Sequence, residues 1–146
     1  MANDYEKYGK FSTDGREFVL HRFDTPRPWI NYAWNEQLLV SIDQRGRGHS
    51  LYRNAAGQRT IPIRDRFVYL KDKNSGKFWT LGWGPVKLPF EHYRCRHGLG
   101  YTIIDSSIDG LKCEWTLTAA VGQAAEIWSV EITNSSGRDR SISIYP

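Results

Sequence analysis

The chain has 146 residues, a net charge of +4 and 40% hydrophobic residues, which suits one domain or part of one. Its six Trp, eight Tyr and six Phe exclude a disordered chain, because each large ring buries about 150–250 Å². No apolar run approaches the roughly 20 residues of a membrane span, so we expect no membrane partner. Residues 1–8 are polar and lack the apolar stretch of a signal sequence, and we therefore expect a cytoplasmic protein.

Apolar and polar residues alternate in short segments along the chain, and this period predicts strands rather than helices. In chain order, the predicted strands are residues 18–22, 38–42, 49–53, 66–72, 78–81, 90–96, 101–108, 111–119, 126–134 and 140–145. Asp109-Gly110 supplies the positive φ angles of a two-residue hairpin turn, and further turns are predicted at 74–76 and 135–138. Short strands separated by glycine-containing turns predict an all-β fold, a sandwich or a barrel.

The last predicted strand runs directly into Pro146, with no cap or polar tail after it. This looks like an interrupted sheet rather than a finished domain. We therefore expect residues 1–146 to be the leading part of a larger β-sandwich domain.

Two cysteines, Cys95 and Cys113, are too few for a disulfide framework, so free thiols are expected, with a single disulfide as the alternative. His92 and His97 flank Cys95 and could in principle approach a metal ion. No second cluster offers further ligands at the spacing typical of zinc sites, which favours structural or surface histidines and no metal.

No catalytic constellation is evident, since a nucleophile needs a base and an orienting partner and the G-x-S-x-G motif is absent. Four carboxylates could serve glycosidic or phosphoryl chemistry, and most of them are expected to be solvated: Asp24, Asp43, Asp105 and Glu114. The glycine-rich segments 46–48 and 98–100 precede no predicted helix. They indicate positive φ angles or close backbone approach rather than phosphate binding.

Charge is concentrated between Gln44 and Lys71, where seven basic side chains accompany one acidic side chain, Asp65. Such a window could bind phosphate or nucleic acid. The favoured interpretation is a solvated set of strand edges and loops, and no nucleic-acid partner is expected.

Four tryptophans lie near loops that contain Pro and Gly: Trp29, Trp34, Trp79 and Trp83. Exposed aromatic rings stack on sugar rings, so these residues could form a carbohydrate surface. The favoured alternative is that they close the ends of the sandwich by burying apolar area under long loops.

Four segments carry a resemblance to a known family. The sequence resembles the start of the cellobiose phosphorylase-like enzymes, glycoside hydrolase family 94, at Asp24-Thr25-Pro26-Arg27-Pro28-Trp29-Ile30-Asn31-Tyr32, Gly46-Arg47-Gly48-His49-Ser50-Leu51-Tyr52, Arg94-Cys95-Arg96-His97-Gly98-Leu99-Gly100-Tyr101-Thr102 and Glu126-Ile127-Trp128-Ser129-Val130-Glu131-Ile132-Thr133-Asn134. Tyr8-Gly9 and Glu17-Phe18-Val19 add to it. Any one motif is weak, but four in order and at family-like spacing are specific.

The resemblance implies a galactose mutarotase-like supersandwich that leads into a helical linker, an (α/α)6 barrel and a small β domain. Family members cleave β-glucosides such as cellobiose with inorganic phosphate, inverting the anomeric centre to give α-glucose 1-phosphate without a cofactor. Their general acid is an aspartate in the barrel, so the resemblance assigns no catalytic residue and no substrate contact to residues 1–146. Homodimers are usual in the family.

Two segments depart from the family pattern: Ala33-Trp34-Asn35, where Leu-Gly is more typical, and Arg47-Gly48-His49, where Gly-Gly-Tyr is common. These departures leave the disaccharide open among cellobiose, laminaribiose, a longer glucan and a related acceptor. The sequence therefore predicts the N-terminal scaffold and dimer surface of a β-glucoside phosphorylase, with a free-standing carbohydrate-binding module as the alternative.

Overall fold

Antiparallel strands make up this chain, which a computed structural model describes at residues 5–57 and 59–146, with the backbone alone at 60–63. In chain order the strands are β1 (Gly9–Phe11), β2 (Glu17–Leu20), β3 (Ile30–Trp34), β4 (Leu38–Asp43), β5 (Ser50–Arg53), β6 (Arg59–Ile63), β7 (Tyr69–Asp72), β8 (Phe78–Thr80), β9 (His92–Gly98), β10 (Tyr101–Ile108), β11 (Leu111–Ala119), β12 (Glu126–Asn134) and β13 (Ile142–Tyr145). The described residues contain no helix that could span a membrane. The predicted all-β class is confirmed. Residues 1–4 of the polar N-terminal segment lie outside the described residues.

Six strands form the largest sheet, in the order β1-β2-β9-β10-β11-β12. Its centre is the predicted hairpin of β10 and β11, whose turn has φ angles of +50° at Asp109 and +73° at Gly110. Every second residue of β11 points into the core, as the alternation predicts, and these side chains are at most 4% exposed: Leu111, Cys113, Trp115 and Leu117. The hairpin and its buried face are therefore confirmed.

Two smaller sheets cover the inner face of the six-stranded sheet, one in the order β3-β4-β5-β6 and the other in the order β13-β7-β8. Their inward side chains join those of the large sheet in one continuous core: Ala33, Leu38, Val40 and Ile42 from the four-stranded sheet, and Leu70 and Trp79 from the three-stranded sheet. Strands β3 and β4 pack on β11 across this core. The predicted antiparallel β-sandwich is confirmed.

Three observed strands were not predicted: β1, β3 and β6. Each is an edge strand of its sheet, hydrogen-bonded on one side only. Strand β6 also contains Pro62, which lacks a backbone N–H and is therefore tolerated mainly at sheet edges. The other edge strands, β8, β12 and β13, were predicted, so the misses reflect weak local signals: β1 has only three residues, and Pro62 interrupts β6. The expectation of a larger domain that continues beyond Pro146 stays a prediction.

Candidate carbohydrate-binding surface

The four tryptophans that could form a carbohydrate surface lie in different environments. Trp79 is a core residue, only 2% exposed. Trp29 and Trp83 are half-buried in aromatic clusters, and the Trp83 ring stacks on Phe23 with centroids 4.7 Å apart. Only Trp34 of the four is largely exposed, at 59%. The favoured interpretation, rings that fill the core and the loop ends, therefore holds for three of them and fails for Trp34.

Strand β3, which ends at Trp34, presents its large apolar side chains to solvent. Ile30, Tyr32 and Trp34 are 51%, 48% and 59% exposed, whereas Ala33 between them is fully buried. Asn31 explains this orientation, because its Nδ2 donates to the carbonyl oxygens of Gly98 and Tyr101, both at 2.8 Å. This amide ties β3 to the six-stranded sheet and leaves the large rings outside.

Trp34 belongs to an apolar stripe across the outer face of the four-stranded sheet. It pairs with Leu39 of β4, and Leu39 pairs with Leu51 of β5. The stripe ends at Arg53, which lies opposite Arg59 on β6. We refer to Trp34, Leu39, Leu51, Arg53 and Arg59 as the Trp34 face.

The turn after Trp34 is held in place by the side chain of Asn35. Its Nδ2 donates to the carbonyl oxygens of Ala120 and Gln123, both at 2.6 Å. Its Oδ1 accepts from the backbone N–H groups of Gln37 and Leu38, at 2.8 and 2.9 Å. The backbone that carries the indole is therefore fixed on both sides.

Trp34 stands between two surface depressions. The first, of about 250 Å³, is lined by Trp34, the turn 35–37 and the rest of the Trp34 face. The second, of about 390 Å³, is lined by Trp34, the same turn and residues 119–122. An exposed aromatic ring between two hollows can stack on a ring-shaped ligand that extends to either side.

His97 has a structural role, because both ring nitrogens bond to the protein. Nε2 donates to the carbonyl oxygen of Trp29 at 3.1 Å, and Nδ1 accepts from the Thr102 hydroxyl at 2.9 Å. Burial lowers the pKa of His97 to about 4 from its usual 6.5. His92 lies exposed on the outer face of the six-stranded sheet. Within residues 5–57 and 59–146, no group of three or more His, Cys, Asp or Glu side chains could hold a metal ion.

Both cysteines are free and buried, so the disulfide alternative is not adopted. Burial raises the pKa of the Cys113 thiol to about 12 and that of Cys95 well above its usual value. Both thiols are therefore protonated at neutral pH and are poor nucleophiles.

Of the four candidate carboxylates, only Asp105 and Glu114 lie together: they are register partners on β10 and β11 and line one depression of about 520 Å³ on the outer face of the six-stranded sheet. Asp24 is exposed and pairs with Arg22, and Glu114 is half-buried and pairs with a neighbouring arginine. The expectation that most of them are solvated is wrong for Asp43, which is 3% exposed. Asp43 accepts hydrogen bonds from the backbone N–H groups of Arg45 and Arg47, at 2.8 and 2.9 Å, and thereby shapes the turn after β4. Asp105 is partly buried and pairs with arginines of β9.

The basic side chains between Gln44 and Lys71 also include both buried and exposed members. The expectation that they are solvated is wrong for Arg66. Its guanidinium is fully buried and donates to Glu126 from Nε at 2.6 Å and from Nη2 at 2.8 Å. It also donates to Ser50 Oγ and to the Ser41 carbonyl oxygen. Sequence alone gave no signal for this pairing, because Arg66 and Glu126 are 60 residues apart. Arg53 and Arg59 remain exposed, as expected.

The glycine-rich segments form tight turns, as predicted. Gly46 has a φ of +76° and faces the Trp115 ring, and Gly48 has a φ of +136° beside the Ser41 carbonyl. Gly100 also has a positive φ, +83°. In the described part of the chain no helix follows these turns, so they lack the phosphate-binding geometry of a helix N-terminus.

A family model described as the glycosyl hydrolase 94 supersandwich domain matches residues 16–146. The chain belongs to this family. It is 37% identical to the solabiose phosphorylase of Paenibacillus borealis and 36% identical to the N,N'-diacetylchitobiose phosphorylase of Vibrio furnissii, over 94% and 95% of this chain. It is 34% identical to a 3-O-beta-D-glucopyranosyl-beta-D-glucuronide phosphorylase of Paenibacillus borealis, over 98% of this chain.

The chain spans about a fifth of the length of these relatives: 19%, 19% and 18% of them, respectively. The family 94 resemblance and the supersandwich fold are therefore confirmed. Trp34 lies inside the matched range.

Proposed function

We propose that this chain is the N-terminal supersandwich of an inverting β-glycoside phosphorylase, in which it serves as scaffold and dimer surface. The family 94 match over residues 16–146 carries this proposal, and three relatives that share 34–37% identity are named as phosphorylases of glycosides. The chain's own candidate carboxylates are consistent with a scaffold. Each of them is engaged by arginine side chains or by backbone N–H groups, including Asp105 and Glu114, which share a depression with Arg94.

The proposed reaction needs no cofactor and little protein chemistry beyond a general acid. Inorganic phosphate attacks the anomeric carbon of a β-linked disaccharide, and an aspartate of a helical barrel protonates the leaving oxygen. The anomeric centre inverts, and the product is an α-sugar 1-phosphate. That aspartate belongs to the proposed barrel, which we infer to be the chain's intramolecular partner. A product that keeps the bond energy as a sugar phosphate is useful inside a cell, which supports a cytoplasmic location.

The test is phosphate-dependent cleavage by the intact protein. The panel should contain cellobiose, laminaribiose, solabiose, N,N'-diacetylchitobiose and a glucosyl glucuronide, with the α-sugar 1-phosphate measured by coupled assay. We expect one of these sugars to give sugar 1-phosphate with phosphate present and no cleavage when phosphate is omitted. Hydrolysis that is independent of phosphate would contradict the proposal. Light scattering on the same sample tests the proposed homodimer, whose mass should be twice that of one chain.

A second candidate function, carbohydrate binding by the sandwich itself, is favoured by the exposure of Trp34 between two depressions. Titration calorimetry of the intact protein with cello- and laminari-oligosaccharides tests it. Trp34→Ala should remove one binding component, because it deletes the stacking ring. Phe78→Ala is the matched control, since Phe78 is similarly exposed, at 55%, on the three-stranded sheet. Equal binding by wild type and Trp34→Ala would exclude this function.

A further inference from the structure

Two arginines at the end of the Trp34 face lie directly opposite each other. Arg53 on β5 and Arg59 on β6 are Cα partners in the strand register, and both side chains are exposed. Other arginines of the chain have carboxylate partners, for example Arg94 with Asp105 at 2.8 Å. Among the described side chains, no carboxylate forms an ion pair with Arg53 or Arg59.

Opposed like charges on neighbouring strands destabilise a sheet, because the Cβ atoms of directly facing residues lie only about 4.5–5.5 Å apart. The repulsion between Arg53 and Arg59 disappears when one anion lies between them. A carboxylate fits this position well, because the planar guanidinium forms two parallel hydrogen bonds with it. The charge arrangement therefore favours an anionic ligand.

The depression beside the two arginines limits the size of this ligand. It measures about 250 Å³ and runs from Arg53 and Arg59 along Leu51 and Leu39 to the Trp34 indole. A helix, about 10–12 Å across with its side chains, does not fit such a hollow. A small ligand with an anionic end and a flat, partly apolar body does.

We propose that the Trp34 face binds an oligosaccharide that carries a carboxylate, a uronate or an aldonate, with a sugar ring stacked on Trp34 and the carboxylate between Arg53 and Arg59. This ligand class rests on the carbohydrate-binding function proposed above and deepens it. The exposed side chains of Glu36 and Gln37 also line the hollow and can bond to sugar hydroxyls. Arg53 lies beside this turn, since its backbone N–H donates to the Gln37 carbonyl oxygen at 2.8 Å. The Glu36 carboxylate therefore offsets one of the two arginine charges, and the lining of the hollow keeps an excess of one positive charge.

The experiment compares two disaccharides that differ in one group, a glucosyl glucuronate and the neutral glucosyl glucose of the same linkage. Calorimetry on the intact protein without phosphate should show a Trp34-dependent component that is about tenfold tighter for the uronate. Arg53→Gln and Arg59→Gln should each reduce this preference, and the double variant should abolish it. Arg94→Gln is the matched control, because Arg94 is an exposed arginine on the other sheet.

Salt gives a second readout, since screening weakens exposed charge pairs. The uronate preference should shrink as the salt concentration rises from about 0.05 to about 0.5 M, whereas the Trp34-dependent binding of the neutral sugar should stay the same. Circular dichroism of each variant confirms that it is folded.

The outcomes separate the two proposals. Equal affinity for both sugars, lost in Trp34→Ala, supports the carbohydrate surface and overturns the carboxylate preference. A uronate preference that survives the double arginine variant also overturns it. Absence of any Trp34-dependent component overturns both proposals. Binding of an acidic peptide as tight as that of the uronate overturns the assignment to a sugar.

Discussion

The outer faces of the two larger sheets carry arginines in opposite electrostatic situations. On the six-stranded sheet, Arg94 pairs with Asp105 and Arg96 pairs with Glu114, each at 2.8 Å. On the four-stranded sheet, Arg53 and Arg59 face each other without a carboxylate partner among the described residues. The first face satisfies its own charges, whereas the second combines unpaired cations with an exposed apolar stripe. The second face is the one suited to bind a ligand, because its arginine charges and its exposed indole lack partners within the described part of the chain.

The six-stranded and four-stranded sheets are joined by a buried ion pair, unlike the exposed arginines of their outer faces. Arg66 and Glu126 are almost completely buried, with side-chain exposures of 0% and 4%, and Glu126 also accepts from the Ser50 hydroxyl and from Trp128 Nε1. This network links the edge strand β12 to the four-stranded sheet. Loss of a single charge at this position should therefore cost much stability.

The largest effect is expected for Glu126→Gln. The substitution leaves the Arg66 guanidinium buried without a counter-charge, and breaking a buried pair in this way costs about 3–5 kcal/mol of unfolding free energy. Urea denaturation measures the change. Glu131→Gln, on the exposed side of the same strand, is the control and should change stability by less than about 0.5 kcal/mol. A loss below about 1 kcal/mol for Glu126→Gln would mean that the pair does not join the sheets.

The next effect is a loss of stability between pH 7 and pH 5 that originates at His97. Its pKa is lowered by burial to about 4, so the unfolded chain takes up a proton below the usual 6.5 while the folded chain does not. Stability therefore falls with falling pH, by about 2 kcal/mol over this interval. Urea midpoints at several pH values measure the slope. His97→Gln should reduce it, and an unchanged slope in that variant would assign the pH dependence to other groups.

A smaller loss of stability is expected when the ion pairs on the outer face of the six-stranded sheet are broken. Arg96 is 21% exposed and contacts three carboxylates: Glu114 at 2.8 Å, Asp105 at 3.3 Å and Glu17 at 3.8 Å. Arg96→Gln leaves these carboxylates to repel one another and should cost about 1–2 kcal/mol, because the network is partly screened by solvent. Denaturation at low and high salt should show a smaller loss at high salt. No loss at low salt would contradict the ion-pair network.

The smallest effect has the opposite sign. Arg59→Gln removes the like charge opposite Arg53, so stability should rise by about 0.2–0.5 kcal/mol at low salt. The gain should vanish at high salt, because screening removes the repulsion in the wild type as well. A loss of more than about 1 kcal/mol would show that Arg59 has a stabilising partner and would end the contrast between the two faces.

Long strands with regular alternation were predicted better than short or interrupted ones. Strands β10, β11 and β12 were located with their observed bounds, because long alternation and the Asp109-Gly110 turn are local signals. The missed strands β1, β3 and β6 have only three to five residues, and β6 is also interrupted by Pro62, so they lack such a signal. The local pattern also did not distinguish the tryptophans, since Trp34 ends the short strand β3 and Trp79 is the middle residue of the three-residue strand β8. Their exposures of 59% and 2% depend on what packs against them.

By itself, the sequence determined the all-β class, the central hairpin, the turns at glycines and the family to which the chain belongs. These are properties of local spacing and of ordered motifs. Tertiary structure alone decided that β3 turns its small residues inward and its large rings outward, because the Asn31 amide bonds to the distant carbonyls of Gly98 and Tyr101. It also decided that Arg66 is buried against Glu126, whereas Arg53 and Arg59 are exposed and face each other. Such outcomes depend on partners far apart in the chain, which a local pattern does not record.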